Sequence, residues 1–281
     1  MQFGISTHLY HDQRLDRQHL AQIAGYGFEE IELFATRSHF DYRDPAAVDA
    51  LADWLAASGL TLRSVHAPIT EQFGAGDQWA PSFSNAAADA ARRQAAVDET
   101  AAALAIARRI PFSFLVVHLG TPESKAGAGD NNRAAASRSV EEICRHAEPV
   151  GVRVALEVIP NALSTPAALV ALLERDAESP IAGVCLDFGH AYLGGDVPDA
   201  VETVAEHLIA THVHDNRRRS DDHLVPYRGA IDWDAALMSM QKIGYDGTYM
   251  MELANTGTPA AVLDEARRAR QQFEKALTSW T

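Results

Sequence analysis

The chain has 281 residues, 47% of them hydrophobic and 22% charged, enough for one large hydrophobic core or two small ones. Its 24 basic and 38 acidic residues leave a formal charge of -14, which argues against charge-driven binding to nucleic acid or an anionic membrane. No run approaches the roughly eighteen continuous apolar residues of a membrane span, and the uncharged start MQFGISTHLY reads as a strand rather than a signal peptide, so a soluble cytoplasmic protein is expected.

In chain order, β-rich runs are expected at Phe3–Thr7, Glu29–Phe34, Leu60–Val65, Ser113–Val117, Arg153–Val158, Ala182–Leu186, Ile209–Val213 and Gly247–Met251. Helical spacing separates them, as at Ala46–Ala57, Ala86–Arg109, Ala134–Ala147 and Pro166–Arg175, and a last helix over Pro259–Leu277 closes the chain. Asp16 caps the first helix, Asp44-Pro45 opens the second and Thr165-Pro166 the fifth, while Gly25, Gly27, Gly59 and Gly151 stand where helices hand over to strands. Cys144 and Cys185, the only cysteines, lie on apolar segments and read as buried, reduced thiols. Eight β–α units predict an α/β fold, a (β/α)8 TIM barrel forming a single domain over residues 1–281. The competing doubly wound open sheet needs neither an eighth strand nor polar residues at so many strand ends.

The strand ends carry the chemistry. His66 closes the third run in SVHAP, His118 the fourth in LVVHLG, Glu157 the fifth in ALEVIP, and Asp187 the sixth in GVCLDFGH. His212 lies near the end of the seventh in IATHVHD, and Glu252 closes the eighth in YMMEL. In a barrel these ends form one rim, where active sites are built. Carboxylates converging there repel unless protonated or neutralised, and a divalent cation neutralises them directly. Glu157, Asp187, His212 and Glu252 are the expected metal ligands. Mixed oxygen and imidazole ligation suits manganese or zinc, with cobalt or iron as alternatives, and nothing asks for an organic cofactor.

Other residues carry two readings each. His66 and His118 either bind a second metal beside Glu157 or hydrogen-bond a substrate. His190, Asp221 and His223 form either another metal set or a network that orients ligands. Phe73, Trp79 and Phe83, in a stretch without basic residues, serve either as a lid over a small ligand, with Trp79 touching substrate, or as loop anchors. In the run Arg217–Arg219, at least one side chain faces solvent, and the alternatives for the rest are phosphate contact or pairing with Asp221 and Asp222.

With VHAP at 65–68, LDFGHA at 186–191, His212 and Asp215 as H-x-x-D, and DDHLVPYRGAIDW at 221–233, the whole chain resembles the xylose isomerase-like TIM barrels. That superfamily includes sugar isomerases and epimerases as well as the AP endonucleases of family 2. In its ketose 3-epimerase-like branch, the resemblance implies one metal on Glu157, Asp187, His212 and Glu252. The two glutamates then move the proton beside a metal-bound carbonyl, and His190 with Arg217 or Arg218 contacts substrate. In the endonuclease branch it implies three zinc ions on His66, His118 and Glu157; on Asp187, His212 and Glu252; and on His190, Asp221 and His223, with Glu157 bridging. Tyr227 departs from the pattern, standing where many relatives carry glycine in a P-G-x-G turn. Net charge favours the first branch: a metal-dependent isomerase or epimerase of a sugar, keto-sugar or polyol-derived substrate; homo-oligomers are common among such barrels, but the helices of this chain identify no interface. The alternatives are a trinuclear-zinc phosphodiesterase and a non-catalytic metal-binding barrel.

Overall fold

Inward small or polar residues alternate with outward aliphatic ones along the strands, and this period of two lets the sheet close on itself. The structure, a computed structural model, describes residues 2–73, 79–175 and 179–279. The side chains of 73, 79–81 and 279 also lie outside the described residues, and with them the expected lid contacts of Phe73 and Trp79.

The strands are β1 (Gln2–Ser6), β2 (Glu30–Phe34), β3 (Thr61–His66), β4 (Thr70–Phe73), β5 (Trp79–Ser82), β6 (Phe114–Val117), β7 (Arg153–Glu157), β8 (Ala182–Asp187), β9 (Leu208–Val213) and β10 (Thr248–Met251). The helices are α1 (Arg17–Gly25), α2 (Pro45–Ser58), α3 (Ala90–Leu104), α4 (Arg133–Ala147), α5 (Pro166–Arg175), α6 (Phe188–Gly194), α7 (Val197–Val204), α8 (Trp233–Lys242) and α9 (Pro259–Ser279). Parallel pairing runs β1-β10-β9-β8-β7-β6-β3-β2 and back to β1. Gln2 pairing with Thr248 closes the ring, so the open doubly wound sheet is excluded and the expected (β/α)8 barrel is the fold.

Expected caps are in place. Asp16 accepts from the amides of Gln18 and His19, Asp44 from Ala46 ahead of Pro45, and Thr165 Oγ1 from Ala168. Three segments differ from expectation. The segment after β3 forms an antiparallel hairpin of β4 and β5. Instead of starting at Ala86, α3 starts at Ala90, because Asp89 caps it by accepting from the Arg92 amide. Thr7 belongs to a 3-10 turn over Thr7–Tyr10 that follows β1.

Outward residues such as Val154, Leu156, Val184, Leu186 and Val213 join Leu169, Leu172, Val201, Leu237 and Phe273 of the helices in the main core. Each such side chain contributes roughly 1.5–3 kcal/mol on burial. The barrel interior holds a smaller plug of Val116, Ala155, Cys185 and Ala210. These short side chains leave room above them for imidazoles. Cys144 and Cys185 are both buried free thiols. Among the described residues no helix is long and apolar enough to cross a membrane.

Two bulges decide which way two histidines face. Ile31 pairs with Leu62 but Glu32 with Ser64, so β3 carries one extra residue at Arg63. Val184 pairs with Leu208 but Cys185 with Ala210, so β9 carries one at Ile209. An inserted residue inverts the alternation beyond it. Val65 thereby joins the outer core while His66 turns inward, and His212 turns inward likewise.

Candidate metal centre at the barrel rim

The protons of the rim imidazoles locate their lone pairs. A carbonyl oxygen only accepts, so a ring nitrogen in hydrogen-bond contact with one carries the hydrogen. Nδ1–H donates to the Ala67 carbonyl from His66 (2.8 Å), to Val158 from His190 (3.0 Å) and to Glu252 from His223 (3.0 Å). Each Nε2 then faces a carboxylate: Glu157 Oε2 at 3.2 Å from His66, and Asp221 Oδ2 at 3.0 Å from His190 and 3.2 Å from His223. His212 is the mirror case. Its Nε2 meets Glu32 Oε2 at 3.0 Å, and its Nδ1 meets Glu157 Oε1 at 3.2 Å and Glu252 Oε2 at 3.5 Å. Nitrogen lone pairs aimed at carboxylate oxygens need a cation between them, either a second proton or a metal ion.

The donors gather in sets whose ligand atoms lie within 4.8 Å of one another. Glu157, Asp187, His212 and Glu252 form a fully buried floor. His66, His118 and Glu157 form a second set, and His190, His214, Asp221 and His223 a third. Glu157 joins the first two through different oxygens: Oε1 faces His212, and Oε2 lies 2.9 Å from His118 Nε2. All nine rim residues singled out in the sequence are thus brought together. The donor set, oxygen and imidazole with protons anchored elsewhere, fits a divalent metal ion.

Electrostatics point the same way. Burial pushes each carboxylate toward its neutral form, and imidazoles outweigh it. His118 and His212 hold Glu157 well below the usual carboxylate range, His190 and His214 hold Asp187 low, and His223 and His190 hold Asp221 low. Burial conversely disfavours charged imidazoles, yet Asp187 and Asp221 hold His190 well above its ordinary value, and Asp221 raises His223 to about 9. Protons and a divalent cation are therefore alternative neutralisers of one cluster, and metal binding must release protons.

Asp221 and His223 reach the rim from the loop after β9, which is organised by Asp215. Its buried carboxylate accepts from the amides of Asn216, Tyr227, Ala230 and Ile231 and from Trp233 Nε1, at 2.9–3.1 Å. A side chain at Gly229 would overlap that carboxylate. Tyr227 takes a φ of 71°, the left-handed geometry a glycine would adopt, so the turn survives its departure from the family pattern. Arg217 donates to the Arg228 carbonyl, and Arg218 donates to Gly195 and lies over the Tyr192 ring. Neither lines the cleft above the floor; Arg219 does.

That cleft has a volume of about 790 Å³. Its walls include Phe34, Ile69 and Leu193, with Glu123, Glu157, Asp221 and Glu252 against the cations Lys125 and Arg219. His8 and His11, after β1, also line it, and burial holds His8 well below its ordinary pKa.

Sequence reasoning passed over His8, Glu32 and His214. His214 Nε2 lies 3.0 Å from both oxygens of Asp187, and its Nδ1 has no hydrogen-bond partner among the described residues. Its position two residues after His212, on the same face of an extended segment, was the available signal. For Glu32 the signal was a second carboxylate at alternate spacing in EIELF.

The family model described as xylose isomerase-like TIM barrel matches residues 20–275. An uncharacterised protein of Methanocaldococcus jannaschii is 27% identical over 267 residues, covering 91% of this chain and 84% of the relative. Among solved structures, a D-tagatose 3-epimerase-like protein superposes with a TM-score of 0.79 at 23% identity, over 99% of this chain and 97% of the other. The IolI protein, solved with a bound zinc atom, superposes with a TM-score of 0.76 at 17% identity, over 97% and 98%.

Proposed function

The chain belongs to the xylose isomerase-like TIM-barrel family, and on that premise we propose that it is a divalent-metal-dependent isomerase or epimerase of a sugar, keto-sugar or polyol-derived ketone. One observation carries the reading. Glu157 and Glu252 both line a cleft of small-molecule size and both reach His212 Nδ1, at 3.2 and 3.5 Å. Similarity to a D-tagatose 3-epimerase-like fold and to a zinc-binding barrel supports it. In the cleft walls Glu123, Glu157, Asp221 and Glu252 meet the cations Lys125 and Arg219 and the raised imidazoles His190 and His223, a balanced lining that suits a neutral polyol better than a polyanion.

Glu157, Asp187, His212 and Glu252 would hold the metal, which when bound polarises a carbonyl and acidifies the neighbouring C–H. One glutamate takes that proton. For epimerisation the other returns a proton on the opposite face; for aldose–ketose isomerisation a single base serves both steps. His118 and His212 keep Glu157 anionic, so it works through position rather than through a raised pKa. Arg219, at the cleft wall, is the arginine of its run placed to meet a substrate hydroxyl.

A second reading rests on the completeness of all three ligand sets, with Glu157 shared between two of them. Metals on each would suit phosphodiester hydrolysis, with Glu157 bridging instead of moving a proton.

Incubation with Mn2+ or Zn2+ and a panel of ketoses and keto-polyols in D2O separates the readings. Solvent deuterium is expected beside the carbonyl of at least one substrate, dependent on metal and lost in Glu252→Gln. Nicking of abasic-site DNA without any such exchange would overturn the first reading in favour of the second.

A further inference from the structure

We propose that Glu32 is a positioning residue that fixes which nitrogen of His212 faces the metal. This inference rests on the metal reading above. Glu32 lies on β2, across the barrel from β9, and is fully buried. Its Oε1 accepts from Ser6 Oγ at 3.0 Å, and its Oε2 accepts from Ser64 Oγ at 2.8 Å and faces His212 Nε2 at 3.0 Å. The carboxylate thus ties β1, β2 and β3 to the ligand histidine through the barrel interior.

Burying a carboxylate costs several kcal/mol unless it is paired. The two serines alone would be served as well by an uncharged acceptor. What needs the charge is His212: a carboxylate on Nε2 keeps the proton there and leaves the Nδ1 lone pair pointing at Glu157 and Glu252. His66, His190 and His223 reach the same state by donating Nδ1–H to backbone carbonyls. His212 presents the opposite nitrogen, and Glu32 stands where those three have a carbonyl.

Glu30, two residues earlier on the same face, is the internal control. It accepts from Thr248 Oγ1, lies 4.0 Å from Arg63 and is absent from every ligand set.

Zinc titration of metal-free Glu32→Gln and Glu30→Gln by calorimetry, beside wild type, tests the assignment. Zinc affinity at the floor is expected to fall roughly ten- to a hundredfold in Glu32→Gln. Affinity should stay near wild type in Glu30→Gln, and the metal-free thermal midpoint of Glu32→Gln should not fall with its affinity. Equal affinity of Glu32→Gln and wild type, or an equal loss in both variants, overturns it. Should Glu32→Gln fail to fold, 15N-histidine spectra of wild type during zinc titration decide. Nε2 of His212 retaining its proton while Nδ1 shifts supports the assignment, and zinc arriving at Nε2 overturns it. Wild type that binds no zinc at all overturns the metal reading itself, a result distinct from either variant outcome.

Discussion

Two parts of one rim hold their ligands by different physics. The floor, with Glu157, Asp187 and His212 on strand ends and Glu252 just beyond β10, is fixed by strand alternation and main-chain pairing. The outer set draws Asp221 and His223 from an irregular loop, held by a single carboxylate, Asp215, and by residues in left-handed geometry at Arg218 (φ 63°), His223 (φ 44°) and Tyr227 (φ 71°). The first arrangement is rigid because the barrel is; the second lasts only as long as its polar node. Damage to one should leave the other largely intact.

The largest effect is expected on the floor. Glu157→Gln should lower turnover by about 10²–10⁴-fold and cost the floor its metal. Metal content and turnover measured together check this; a variant that keeps both places Glu157 outside the chemistry. Next comes the loop node. Asp215→Ala leaves five N–H donors without their acceptor and should cost roughly 3–5 kcal/mol in denaturant unfolding. It should release Asp221 and His223 while the floor still binds metal, and loss of floor metal as well would mean that the floor depends on the loop.

A smaller change probes the seam between the two. A methyl group at Gly189 would overlap the His214 imidazole, which contacts Asp187 on one side and stacks on His223 on the other. Gly189→Ala should destabilise by about 1–3 kcal/mol and weaken metal binding at both places. An effect confined to one set would mean that His214 does not couple them.

The metal-free protein should also report its protons. His223, raised to about 9, and His190, raised well above its ordinary value, each stabilise the fold fully below pH 6.5 and lose that contribution as pH rises through the folded value. Asp187 and Asp221 are held low, so their contribution fades only as pH falls through and below the ordinary carboxylate range. The thermal midpoint without metal should therefore fall between pH 6.5 and 9, and the gain on adding zinc should widen over the same interval. A midpoint that climbs across that window contradicts the charge assignment. The smallest effect is expected at Tyr227→Gly, where relief of left-handed strain, about 1 kcal/mol, opposes loss of ring contacts with Trp233 and Phe273. Net stability should change by no more than that.

What the sequence disclosed follows the same division. Period-two patterning exposed the eight strands, and with them Glu157, Asp187 and Glu252 as strand-end residues. The bulges at Arg63 and Ile209, which turn His66 and His212 inward, show in that pattern only as one step of three between outward residues, as from Leu62 to Val65. Glu32 reads as an ordinary strand residue until the barrel closes and brings it across to His212, 180 positions away. The arginine run shows the opposite failure: three like residues in a row cannot reveal that two are turned to backbone carbonyls and the third to the cleft.

Elemental analysis of protein purified without added metal or chelator, repeated after add-back of Mn2+ and Zn2+, decides whether the floor holds a metal. About one tightly held divalent ion per chain is expected, retained in Asp215→Ala and lost in His212→Ala. No tightly held ion before or after add-back, or one indifferent to His212, would contradict the metal reading.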